Sequence, residues 1–176
     1  MATTNTLIFI IEDDMMYRQM LLDHLSQMSH LTIKDFGTGE DCLDHIKKTS
    51  EKPAIVFLDY YLNSQVKDAR DGLEILTELK TVSPDTDVVM LSGQDKIHVA
   101  VEVMKYGAFD YIVKGESAFY RAEKAVFNIF RFAKMKKDAR LYKKLTLTFA
   151  VAFILMIALF ILMQKKGLIT DTPGWF

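Results

Sequence analysis

Five short apolar runs alternate with stretches in which apolar residues recur every three or four positions. Residues 7–11 are apolar throughout and stop at Glu12-Asp13-Asp14, which predicts a strand buried on both faces. Met16, Met20, Leu21 and Leu25 then follow helical spacing. Residues 31–36 alternate apolar and polar, as a strand at the edge of a sheet does. Gly37-Thr38-Gly39 turns the chain, and Cys42, Leu43 and Ile46 mark a second helix. After Pro53, residues 54–58 predict a third strand, again apolar throughout. A polar loop from Asp59 to Asp71 leads to a helix that opens at Gly72 and stops near Ser83-Pro84. Residues 87–91 predict the fourth strand, with Ser92-Gly93 as its turn. Val99, Val101, Val103 and Met104 lie on a fourth helix ending at Gly107, and residues 109–113 predict the fifth strand. This alternation predicts an α/β fold: a five-stranded parallel sheet covered by helices on both faces.

The last helix differs in kind. No glycine or proline interrupts residues 116–166, so one helix is expected to run through the whole segment. Its first part carries a sheet-facing stripe of Phe119, Ala122, Val126, Ile129, Phe130 and Ala133. Residues 145–164 contain no charge, and from Leu145 to Met163 only Thr146 and Thr148 are polar. Apolar on every side and about 28 Å long as a helix, this run matches the hydrocarbon core of a bilayer. A small domain has no room to bury such a helix all round.

Charge sharpens the division. Residues 1–133 carry 14 Lys and Arg against 21 Asp and Glu, net −7; residues 134–176 carry 8 against 2, net +6. The acidic body argues against nucleic acid as a partner. Lys134, Lys136, Lys137, Arg140, Lys143 and Lys144 precede the apolar run, and only Lys165 and Lys166 follow it. That bias predicts a single-pass membrane protein whose N-terminal side lies in the cytoplasm, with the basic side chains near anionic lipid headgroups. Trp175 and Phe176 are expected at the opposite interface, and small residues four apart, such as Thr146 and Ala150, offer a site for a homodimer. The boundaries predicted are a globular domain at 5–133, a basic juxtamembrane helix at 134–144, a transmembrane helix at 145–164 and a tail at 165–176. The start of the chain has no basic segment of the signal-peptide kind. The single cysteine, Cys42, excludes a disulfide scaffold, and Cys42 and the ten methionines read as core packing and membrane filling.

In a parallel sheet, ligands gather at the carboxyl ends of the strands. There the sequence places Glu12 and Asp13, Asp59, Ser92 and Lys114. Crowded carboxylates repel one another, and a hard divalent cation such as Mg²⁺ relieves the repulsion. A carboxylate nucleophile, a cation, a lysine and a hydroxyl are the parts that phosphoryl transfer requires. No phosphate-binding glycine loop, Ser-His-Asp order or histidine ligand spacing is present.

These residues, in this order, resemble the receiver domain of two-component response regulators, over roughly residues 5–133. Tyr111, three residues before Lys114, matches that family's switch aromatic, and Arg18, Leu21 and Asp71-Gly72 also fit. The resemblance implies a flavodoxin-like (βα)5 fold and a non-enzymatic signalling role. It implies Asp59 as phosphoacceptor, with the phosphoryl group supplied by a histidine kinase or phosphotransfer protein. Mg²⁺ would sit on Asp13, Asp59 and the Tyr61 backbone carbonyl, with Glu12 acting mainly through water. Ser92 would bond the phosphoryl group, Lys114 would pair with it, and Tyr111 would follow Ser92 inward. Tyr61 and Gln94 occupy positions that tune phosphoryl lifetime in the family. Departures are Gly115 in place of a proline and a longer loop at 63–70. With no DNA-binding module expected after the receiver, output is expected through an unidentified protein partner. The alternatives are a phosphate sink and a non-phosphorylated membrane scaffold.

Overall fold

The computed structural model describes residues 6–62, 70–94 and 96–165. Ten elements alternate: β1 (Thr6–Ile11), α1 (Met15–Leu25), β2 (Leu31–Phe36), α2 (Gly39–Thr49), β3 (Ile55–Asp59), α3 (Gly72–Val82), β4 (Asp87–Ser92), α4 (Ile97–Lys105), β5 (Asp110–Val113) and α5 (Ala118–Lys165). The strands form one parallel sheet in the order β2-β1-β3-β4-β5. The chain divides into two compact units, Met1–Ile129 and Phe130–Phe176.

The apolar strands are central for the reason their composition predicts. Ile8, Phe9, Ile10 and Ile11 of β1 and Ile55, Val56, Phe57 and Leu58 of β3 are all fully buried, so neither face of these strands meets water. On one face Phe9, Ile11, Val56, Leu58, Val88 and Met90 join Cys42, Leu43 and Ile46 of α2, Ile75, Leu76 and Leu79 of α3 and Val99 and Val103 of α4 in one core cluster. Side chains alternate along a strand, so Ile8, Ile10, Ile55 and Phe57 turn to the other face. Leu21 and Leu25 of α1 and Ala122, Val126 and Ile129 of α5 are buried there. Each Leu, Ile or Val side chain among these contributes about 1.5–3 kcal/mol when fully buried.

β2 and β5 are the two edges. β2 exposes Thr32 and Asp35 and half-buries its other four residues, a departure from the strict alternation expected, because its charged residues are tied: Lys34 Nζ lies 2.6 Å from Glu51, and Asp35 receives the Arg18 guanidinium at 2.9 Å. β5 is only four residues long.

One expectation changes, that the methionines of the globular part pack in its core. Met16 and Met20 share the helical period of Leu21 and Leu25, but Met16 is 75% and Met20 50% exposed; Met15 and Met104 are exposed too. Among the described residues, Met90 is the methionine that is fully buried. A helical period identifies a face as apolar and does not specify that anything covers it. The unbroken last helix is present as predicted: α5 runs 48 residues, and none of its apolar window is buried within the chain. The interfacial aromatics Trp175 and Phe176, Lys166 and the loop segment 63–69 lie outside the described residues.

Candidate functional site

The carboxyl ends of β1, β3, β4 and β5 bring the predicted residues together. Glu12 and Asp59 are buried, and carboxylate oxygens of Glu12, Asp13 and Asp59 lie within 4.8 Å of one another. Asp13 is the most open of the three. Lys114 reaches in from the end of β5. Its ammonium lies 2.7 and 2.9 Å from the two Glu12 oxygens and 2.9 Å from Asp59 Oδ2. The other Asp59 oxygen, Oδ1, is buried without a hydrogen-bond partner. A buried carboxylate oxygen left bare is costly. Here it belongs to an all-oxygen acidic cluster, the donor set that suits a hard divalent cation.

The electrostatics follow from the crowding. Burial, reinforced by repulsion from Asp59, pushes the Glu12 carboxyl up to about 7, although Lys114 pulls the other way. Burial opposes the charge on Lys114, but the combined attraction of Asp59 and Glu12 outweighs it and raises its pKa. The lysine is therefore held as a cation between two acids.

A second cluster centres on Gln94. Its backbone carbonyl accepts from the Tyr111 hydroxyl at 2.6 Å and from Ser92 Oγ at 3.2 Å, and its amide donates back to Ser92 Oγ at 3.2 Å. Its side-chain oxygen accepts from the Tyr61 hydroxyl at 3.2 Å. The two predicted switch residues, Ser92 and Tyr111, thus share one acceptor. Tyr61 directs its ring against Tyr60 and its hydroxyl to Gln94, while the metal-type cluster found among the described residues is Glu12, Asp13 and Asp59.

The surroundings hold these groups in place. A methyl group at Gly72 would stand 2.3 Å from the Asp59 carbonyl oxygen and 2.7 Å from Tyr60 Cα, so the chain leaving β3 passes a position where no side chain fits. The Gly72 amide donates to the Tyr60 carbonyl at 2.9 Å, and Asp71 starts α3 with a reciprocal cap to Glu74. Arg18 donates to the Glu12 carbonyl at 2.5 Å, fixing the turn after β1.

Three contacts lie outside the sequence expectations. Asp14, the third acid of the run, is not part of the cation cluster. It caps α1, accepting from the amides of Met16 and Tyr17. An aspartate just ahead of a helical period carries that signal. Lys114 binds Glu12 directly, an interaction across 102 residues that no local pattern encodes. The Tyr17 ring lies 4.8 Å from the Lys114 ammonium and packs on Phe119, covering the ion pair with an aromatic face.

The family model for the response regulator receiver domain matches residues 8–119. The transcriptional regulatory protein MalR of Bacillus subtilis (strain 168) is 28% identical over 146 residues, covering 78% of this chain and 60% of MalR. The chain thus spans less than two thirds of that curated relative's length. In fold it is similar to the signal receiver domain of a LuxO repressor protein from Vibrio parahaemolyticus, with TM-score 0.64, 20% identity and coverage of 76% of this chain and 95% of that one. It is also similar to a response regulator from Burkholderia pseudomallei crystallised with a phosphorylated aspartic acid, a calcium ion and citrate. That match has TM-score 0.55 and 21% identity, and covers 70% of this chain and 75% of the other.

Proposed function

Because this chain belongs to the response regulator receiver family, whose members accept a phosphoryl group on an aspartate, we propose that Asp59 is the phosphoacceptor of a membrane-tethered receiver. The observation that carries the reading is Asp59 itself. It is 3% exposed, bound through one oxygen to Lys114, and bare at the other oxygen beside two further acids. Receiver domains bind Mg²⁺ at an acidic pocket and take their phosphoryl group from histidine kinases or phosphotransfer proteins. Asp13, Asp59 and the Tyr61 carbonyl would hold the ion here, with Glu12 behind them, and when bound it supplies positive charge to the phosphoryl oxygens.

The residues of this chain do the rest. An Asp59 oxygen attacks phosphorus in line. The new O–P bond forms as the donor's N–P bond breaks, and the departing imidazole nitrogen keeps the electron pair. Lys114, already 2.9 Å from Asp59, pairs with the incoming phosphoryl oxygens. Ser92 turns its hydroxyl from the Gln94 carbonyl to the phosphoryl group, and Tyr111 follows it inward. The receiver then reports its state to a protein partner.

The tether is residues 145–164, preceded by the basic juxtamembrane helix 134–144 that keeps the receiver, 5–133, in the cytoplasm, with 165–176 as the tail. Support comes from the long exposed apolar stretch of α5 and the charge bias around it. Tethering raises the receiver's local concentration at a membrane-bound kinase.

The test is to incubate the full chain with acetyl phosphate and Mg²⁺ and record intact mass. One added phosphoryl group is expected, and none in Asp59→Asn; equal labelling of the two proteins would overturn the assignment.

A further inference from the structure

The second unit carries a pattern that membrane insertion alone does not require. Along α5, Phe132, Met135, Ala139 and Tyr142 are spaced three, four and three residues apart. Of the fifteen residues from Phe130 to Lys144, eight are charged, and none of the eight falls on these four positions. Met135 is 57% and Tyr142 69% exposed in the single chain. An apolar stripe bordered by charge, in a part of the helix that meets water, has a hydrophobic cost unless something covers it.

The same alternation of three and four continues through Thr146 into the span. There it collects all three phenylalanines, Phe149, Phe153 and Phe160, and both methionines, Met156 and Met163. The remaining positions of the span are Leu, Ile, Val, Ala and Thr, with Gln164 at its end. A seven-residue repeat sustained from Phe132 to Met163 is the signature of left-handed helix pairing, in water and in bilayers alike.

From this we infer that a second copy of the chain packs on the seam, forming a parallel, in-register helix pair from Phe132 through the membrane. Past Tyr142 the inference rests on the membrane reading above, which also fixes the orientation, since two copies inserted the same way place the same residues at the same depth. Charge supports the register. Asp138, the only acid between Glu123 and Asp171, precedes a seam position, and Lys143 follows one. In a parallel pair such residues face each other across the interface, so each Asp138 meets the partner's Lys143. Arg131 and Lys136 take the equivalent places one repeat earlier and repel. The Arg131 guanidinium lies over its own Phe132 ring, 5.9 Å from the ring centre, which draws it toward the seam's apolar edge.

The test uses the purified full chain in vesicles of phosphatidylcholine and phosphatidylglycerol, with lipid in large excess, under mild oxidation. Cys42 is fully buried, so the unaltered chain is the blank. Met135→Cys, Ala139→Cys and Tyr142→Cys are expected to give at least about fivefold more disulfide-linked dimer than Lys137→Cys, Arg140→Cys and Lys144→Cys. Adding Asp138→Lys to Ala139→Cys should lower the yield, and adding Lys143→Glu as well should restore it. Equal yields around the helix, or a maximum on the Lys137 and Arg140 side, overturn the inference. Flotation of the same vesicles separates the two readings. A chain that floats without seam-selective crosslinking defeats the pair and leaves the span. Seam-selective crosslinking in a chain that does not float supports the pair and defeats the span.

Discussion

At the scale of single residues, the site is an arrangement of charge around one lysine. Glu12 has the consequence easiest to measure. Its ordinary value of 4.5 rises to about 7 in the fold, mainly through burial and then through Asp59. Between those values the folded chain holds a proton that the unfolded chain has released. The stabilisation from this group is complete below pH 4.5 and is lost as pH rises through 7. Metal-free stability, followed by denaturant titration, should therefore fall across that window, and Glu12→Gln should flatten the fall. Mg²⁺ competes with the same proton, so its binding should tighten between about pH 5.5 and 8 in the unaltered chain and less so in Glu12→Gln. Identical pH profiles for the two proteins would remove Glu12 from the cation site. The acids, Ser92 and Lys114 were legible from sequence because each follows an apolar run, and the parallel topology makes those ends converge. The Glu12–Lys114 pair and the Tyr17 ring over the lysine were not, because each depends on where distant side chains come to rest.

At the scale of elements, the strands were readable because both of their faces are buried. A run such as residues 54–58 has no polar phase to misread, and the structure shifts it by one residue to Ile55–Asp59. Helices gave less, since a period names a face without naming its cover: Leu21 and Leu25 of α1 are buried, while Met16 and Met20 are open. The junction of β3 and α3 carries the sharpest element-level expectation. Gly72→Ala would force a methyl group against the backbone of Asp59 and Tyr60. An overpacked site of this kind costs about 1–3 kcal/mol. Stability should fall by that amount, and acetyl phosphate labelling of Asp59 should slow, because the strand end that carries the proposed acceptor must move. A variant as stable as the parent and labelled at the same rate would show that this junction does not position Asp59.

At the scale of the whole molecule, an acidic receiver and a basic, apolar helix lie on one chain. The membrane reading predicts that the protein stays with carbonate-washed membranes. Leu155→Arg combined with Ala158→Arg should release it, since each charge near the middle of a span costs about 2.5–3.5 kcal/mol. Retention of the double variant would mean that the apolar segment is not what holds the chain there. The boundary between the parts was visible as a change in composition, with charge reversing sign after residue 133. If the chain is held at a membrane as proposed, the rims of the sheet matter too. Molecules held in a plane meet side by side far more often than in bulk, and an open strand is a template for unwanted pairing. Here one rim is four residues long, and the other carries Lys34 and Asp35 pinned to Glu51 and Arg18. On the proposed tether, a protein crowded into two dimensions would thereby be guarded against zipping into ribbons with its neighbours.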